Sequence, residues 1–113
     1  MQRQFRLTRS TDFKRVRRDG KSNAHPLIVL IALENQLSTT QIGVAAGKRV
    51  GNAVKRNRAK RLMRAAAREL YPQIKSGQDI ILIARTPIIQ STMPQVRDAL
   101  QQLLQRAQLL KDV

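Results

Sequence analysis

Arg56-Asn57-Arg58, followed closely by Lys60, Arg61 and Arg64, is the group of side chains in this chain best suited to a definite chemistry. A guanidinium is a planar fork that pairs bidentately with phosphate oxygens, and an Asn amide donates to a phosphate or a base edge. The group sits in residues 48–68, KRVGNAVKRNRAKRLMRAAAR, where nine of 21 residues are Lys or Arg and none is acidic. At about 100° per residue, Ala59, Leu62, Met63, Ala66 and Leu70 share one arc of a helix. Asn57, Arg61, Arg64 and Arg68 fall on nearly the opposite arc. A solvated helix face ordinarily mixes signs to gain i, i+4 pairs. Here no acid lies between Glu34 and Glu69. A cationic row with this much self-repulsion reads as a surface for a polyanion.

No other constellation promises reactivity. A nuclease that holds two cations needs clustered carboxylates. The seven acids (Asp12, Asp19, Glu34, Glu69, Asp79, Asp98 and Asp112) are scattered, and no pair has a recognisable ligand spacing. His25 stands alone beside Pro26, with no second His and no Ser or Cys partner, and reads as a surface or edge-strand residue. There is no cysteine, which excludes disulfides and thiolate metal sites and suits a reducing cytoplasm. No catalytic and no metal-ligating residue is assigned, so the polypeptide alone is expected to be inert.

The formal net charge is +15, and 17 of the 22 Lys and Arg residues lie in two blocks, 1–21 and 48–68. Two basic patches suggest a phosphate backbone contacted on two surfaces. An anionic membrane is the rival polyanion, but it recruits helices with bulky apolar faces, and the face here is largely Ala with Leu and Met. The longest apolar run, 27–33, is far too short to span a bilayer. The opening MQRQFRLTRS lacks an apolar segment, so no signal peptide is expected.

The elements that must position the cationic row are legible in outline. At 113 residues, one domain is expected, with 1–9 as a basic arm and a short extended piece near Phe5-Arg6-Leu7. Ser10 is suited to cap a helix over 11–19, with Gly20 just past its end and Phe13 and Val16 on its inner face. Strands are expected over 27–33 and 41–46, paired as an antiparallel hairpin, and over 79–84, a central strand. Gly47 and Gly51 bracket a junction before the main helix, 52–70, which Pro72 ends. A last helix over 93–110 starts after Thr92. Gly43, Gly47 and Gly51 are read as serving turns and tight packing in preference to close RNA approach. The sum is an α+β fold: a small single-layer sheet packed with helices in α-β-β-(β)-α-β-α order.

The segment KRVGNAVKRNRAKRLMRAAARE resembles the signature of the bacterial ribonuclease P protein subunit. The likeness extends over most of the chain, through LTRSTDFKRVRRDGKS, IGVAAGKRVGNAVKRNR and DIILIARTP. The resemblance implies a single domain with a left-handed β-α-β crossover around the main helix, where generic rules favour the opposite hand. It also implies a partner, a large catalytic RNA, and joint endonucleolytic removal of the 5′ leader from precursor tRNA. Catalysis and its magnesium ions would belong to the RNA, with no small-molecule substrate and no membrane. Lys48, Arg49, Asn52, Lys55, Arg56, Asn57, Arg58, Lys60, Arg61 and Arg64 match the surface that touches the RNA subunit, and Arg68 completes the row. Phe13, Lys14 and Arg17 lie where the first helix would wall a cleft for the single-stranded leader. Arg17 stands where a second aromatic is common, and the first strand offers Ile28 and Ile31 in place of Phe or Tyr. Leader binding is therefore expected to lean on charge and apolar contact more than on stacking. A basic structural ribosomal protein is the alternative that composition alone leaves open; a protein-only nuclease or DNA-binding module is a third.

Overall fold

Alternation along two apolar strands sets the architecture. In the computed structural model, which describes residues 5–112, Ile28–Glu34 (β2) and Gln78–Ala84 (β4) pair antiparallel along their full length. Ile28, Leu30, Ile80, Leu82 and Ala84 point to one face of the sheet; Ile31 and Ile81, with Val29, Leu33 and Ile83, point to the other. Each face then takes its own helical cover, because successive side chains of a strand alternate sides.

The first face is covered by the helices Ala53–Leu70 (α2) and Met93–Arg106 (α3). Their buried stripes are Ala59, Met63, Ala66, Ala67 and Leu70 on α2, and Val96, Ala99, Leu100, Leu103 and Leu104 on α3. Small Ala side chains on α2 let it lie close to α3 and to the sheet. The second face is covered by one short helix, Ser10–Asp19 (α1), which packs on β2 and β4 through buried Val16 and half-buried Phe13. Ten residues do not cover a four-stranded sheet, so part of this face stays open.

Two further strands complete the sheet in the order β1-β2-β4-β3: Lys21–Ala24 (β1) at one edge and Gln41–Ala45 (β3) at the other. The expected hairpin between 27–33 and 41–46 is corrected here. β2 pairs antiparallel with β1 and β4, while β3 runs parallel to β4 through the crossover that contains α2. The strand β1 (KSNA) carries no apolar signal because it is an edge strand with exposed side chains. Three strands of similar apolar character do not themselves declare their partners.

Several boundaries differ from the sequence reading. The first helix begins at Ser10 itself, with Arg9 at the cap position and no side-chain cap bond. Gly20 is extended (φ −80°) and does not take the left-handed conformation. A Cβ there would meet Val16 O at 2.6 Å and Ala32 O at 2.9 Å, so close approach is what the position needs. The last helix ends at Arg106, four residues early, because Gln108 turns left-handed (φ 59°) and the chain folds back so that Ile74 and Leu110 bridge. Its start is as expected: Thr92 accepts from Gln95 N and the Gln95 side chain accepts from Thr92 N, a complete capping box. The expected basic arm, 1–9, is described only from residue 5. There Arg6 bridges to Ile42 beside β3, and Phe5 lies on Tyr71 with ring centroids 5.0 Å apart. Its first four residues lie outside the described part.

Candidate nucleic-acid interface

The cationic row is held by α2. The helix starts where the Asn52 side chain accepts from Lys55 N at 3.0 Å, satisfying one of its free first-turn amides. Its inner stripe is anchored in the core, which leaves Asn57, Arg61 and Arg68 exposed and Arg56, Lys60 and Arg64 half-exposed. From Asn57 to Arg68 the row climbs about 16 Å along the helix.

The allocation of the acids makes this row unusual. Asp12 and Asp79 pair with Arg15, Asp19 with Arg18, and Glu69 and Asp98 with Arg97. Five of the seven acids are thereby used on three arginines outside residues 48–68. Among the described residues, no carboxylate pairs with Lys55, Arg56, Arg58, Lys60, Arg61, Arg64 or Arg68. A row of unneutralised guanidinium groups on a rigid helix is a site for phosphate oxygens.

The half-covered face of the sheet forms a second feature. Beyond the end of α1 the strands present one row in register, Ala24–Val29–Ile83–Ala45. Above this row lies a groove of about 810 Å³ lined by Arg17 from α1, Ala24 to Pro26, Ala45 to Val50, and Ile83 to Pro87. Its floor is small and apolar. Arg17, Lys48, Arg49 and Arg85 supply four cations to its walls, and among the described residues no acid lines it. A smaller crevice of about 170 Å³ adjoins it, lined by Phe13, Gly43, Val44, Arg6 and Arg64 among others. An apolar floor with a cationic rim accepts a strand whose bases are unpaired and whose backbone is anionic.

The sequence-assigned residues divide differently from expectation. Lys48 and Arg49 sit on a short 3-10 turn, Lys48–Val50, that lines the groove and stands apart from the α2 row. Asn52 is occupied as a helix cap. Arg58 donates to the backbone carbonyls of Ile89 (2.9 Å) and Ser91 (3.4 Å). Of the residues expected along the cleft, Arg17 lines the groove, Phe13 lines the adjoining crevice, and Lys14 is exposed on α1 without lining either. Ile31 is buried beneath α1 and Ile28 is fully buried on the opposite face under the helical layer. Ile28 and Ile31 have opposite parity on one strand, so they cannot line one cleft. Val29, between them, shares the open row.

Sequence reasoning passed over Arg85, Ile83 and Ala45, and read His25 only as a surface or edge-strand residue, where it lines the groove. The floor residues are invisible without the strand register. Arg85 was marked only by its place directly after a strand. His25 Nδ1 accepts from Leu27 N at 3.0 Å, which requires a neutral imidazole. Burial, and secondarily the charge of Arg106, push its pKa down.

No helix among the described residues is long and apolar enough to cross a membrane. Nor do the described residues include a group of three His, Asp or Glu side chains that could hold a metal ion.

A family model described as Ribonuclease P matches residues 1–108. A ribonuclease P protein component from Herpetosiphon aurantiacus is 41% identical over 112 residues, covering 99% of this chain and 91% of the relative. The likeness of fold is equally broad: the RNase P protein of Staphylococcus aureus superposes with a TM-score of 0.85 at 30% identity, covering 95% of this chain and 98% of that one. The RNase P protein from Thermotoga maritima, solved in complex with 1-(4-fluorophenyl)-2-thiourea, gives a TM-score of 0.82 at 30% identity over 89% of this chain and 98% of that one.

Proposed function

This chain belongs to the ribonuclease P protein family, and on that premise we propose that it binds the RNA subunit through the outer row of α2 and holds the single-stranded 5′ leader of precursor tRNA in the groove between α1 and the sheet. One observation carries the reading: among the described residues the cations of α2 have no carboxylate partner, while Arg15, Arg18 and Arg97 absorb five of the seven acids. Asn57, Arg61, Arg64 and Arg68, with Arg56 and Lys60 beside them, take the RNA subunit's phosphates. Arg17, Lys48, Arg49 and Arg85 take those of the leader, whose bases meet the apolar row above Ile83.

Phosphodiester cleavage falls to the RNA subunit, with magnesium held there. The protein's contribution is to place the substrate and neutralise its charge. Scattered carboxylates and one hydrogen-bonded histidine are a poor set for acid–base or two-metal chemistry by the polypeptide itself.

Reconstitution tests this. Adding the chain to a purified ribonuclease P RNA should increase 5′-leader removal from precursor tRNA at low magnesium. Absent stimulation, with the protein sedimenting with ribosomes, would overturn it in favour of a structural ribosomal role; cleavage by the protein alone would overturn the division of labour.

A further inference from the structure

Arg58 belongs by sequence to the Arg-Asn-Arg triplet, yet its exposed side chain is engaged by the protein's own backbone. Two of its nitrogens donate to consecutive parts of one segment, Nη1 to Ile89 O at 2.9 Å and Nη2 to Ser91 O at 3.4 Å. On the helix it is rotated by about 60–120° from Arg61, Arg64 and Arg68, toward the β4–α3 connection. That connection is the 3-10 turn Thr86–Gln90, whose first residues, Thr86 and Pro87, form part of the groove's lip. The turn is pinned at its far side by buried Ile88, and the Thr86 hydroxyl reaches Arg49 O at 3.4 Å across the groove's end.

From this geometry we infer that Arg58 is a positioning residue for the leader groove and not a phosphate contact for the RNA subunit. It works as a strut: α2 holds the guanidinium, the guanidinium holds the carbonyls of Ile89 and, just past the turn, Ser91, and the turn sets the height of the lip beside Arg85. Guanidinium geometry suits the task, because its fork offers parallel donors to two carbonyls and a Lys ammonium offers none in a fixed plane. The inference rests on the proposed function, since it presumes that the groove holds the leader.

The test uses reconstituted holoenzyme with Arg58→Ala, Arg58→Lys and, as control, Arg61→Ala. Two quantities are measured: the salt dependence of RNA-subunit binding, and the ratio of affinities for precursor tRNA and mature tRNA. Arg58→Ala should leave the salt slope unchanged and reduce the leader-dependent ratio by about fivefold, the worth of an ordinary hydrogen bond. Arg58→Lys should reduce that ratio too, despite keeping the charge. A salt slope lowered by about one contact in Arg58→Ala, or a leader ratio that stays at the wild-type value, would overturn the strut. The control separates this from the parent reading: if Arg61→Ala leaves the salt slope intact, the proposed RNA face itself fails.

Discussion

The Phe13 ring lies directly over Gly43. A Cβ built on Gly43 would sit 2.5 Å from Phe13 Cζ and 2.6 Å from Leu7 O, distances no real Cβ tolerates. The glycine on β3 is therefore the seat on which the aromatic of α1 rests, one residue pair away from Ala45 and the groove floor. Gly43→Ala should lift the ring and push against the Leu7 backbone, costing about 1–3 kcal/mol as an overpacked contact. Denaturant unfolding measures this; an unchanged midpoint would contradict the contact. Phe13→Ala, which frees the crevice without crowding it, should weaken binding of leader-bearing substrate more than binding of mature tRNA. Equal effects on both would remove Phe13 from the leader's path.

Arg15 of α1 donates to Asp79, which is 3% exposed at the start of β4, and Asp79 also accepts from the Asn35 side chain at 2.9 Å. This ties the single helix on the second face to the sheet and to the β2–β3 loop. Removing one partner strands the other in a poorly solvated place. The Arg15 side chain keeps about a third of its surface in water, so Asp79→Ala should cost about 1–3 kcal/mol, below the range of a fully buried pair. The double change Arg15→Leu with Asp79→Leu should cost less than the sum of the single changes. Strict additivity would show that the pair is not coupled.

Along α2 the expected effects are on binding and not on folding. Arg61→Ala and Arg64→Ala should each lower the slope of log affinity for the RNA subunit against log salt by about one phosphate contact. Stability should change by no more than about half a kcal/mol, since among the described residues neither has a carboxylate partner to lose. A double variant that binds with the wild-type slope would refute the assignment of the face.

His25 gives the fold a pH dependence of known sign. Its cation is disfavoured in the folded state, by burial first and by Arg106 second, and Nδ1 must stay unprotonated to accept from Leu27 N. The unfolded chain therefore takes up the proton more readily. The contribution is complete at high pH and is lost as pH falls through the unfolded value of about 6.5. Unfolding measured between about pH 7.5 and 5.5 should show stability declining toward acid. His25→Asn, which retains a side-chain acceptor without the titration, should flatten that decline. An undiminished slope in the variant would assign the effect to other groups.

The helices were legible because their signals are local. Asn52 caps α2, Thr92 and Gln95 form a box, and the Ala-rich stripe of α2 repeats at helical spacing. What escaped reading were relations between distant segments. The strand Lys21–Ala24 is polar because it is an edge, so it has no alternation to detect. The partner of β3 is set by a crossover of more than thirty residues, and choosing β2 for it misplaces the register from which the groove floor is built. That register puts Ala45 opposite Ile83, and only then do Lys48, Arg49 and Arg85 become neighbours of Arg17. The Arg-Asn-Arg triplet shows the same limit at the scale of one side chain. Composition identifies Arg58 as a cation, but the two carbonyls that engage it lie more than thirty residues downstream.

The placement of the acids has a kinetic consequence. With Asp12, Asp19, Glu69, Asp79 and Asp98 committed beside Arg15, Arg18 and Arg97, the uncompensated charge is concentrated along the flank of α2 and around the groove. A molecule so polarised turns in the field of a large polyanion before touching it. Its collisions arrive already oriented, faster in dilute electrolyte than in concentrated, and fewer of them are wasted on the wrong side.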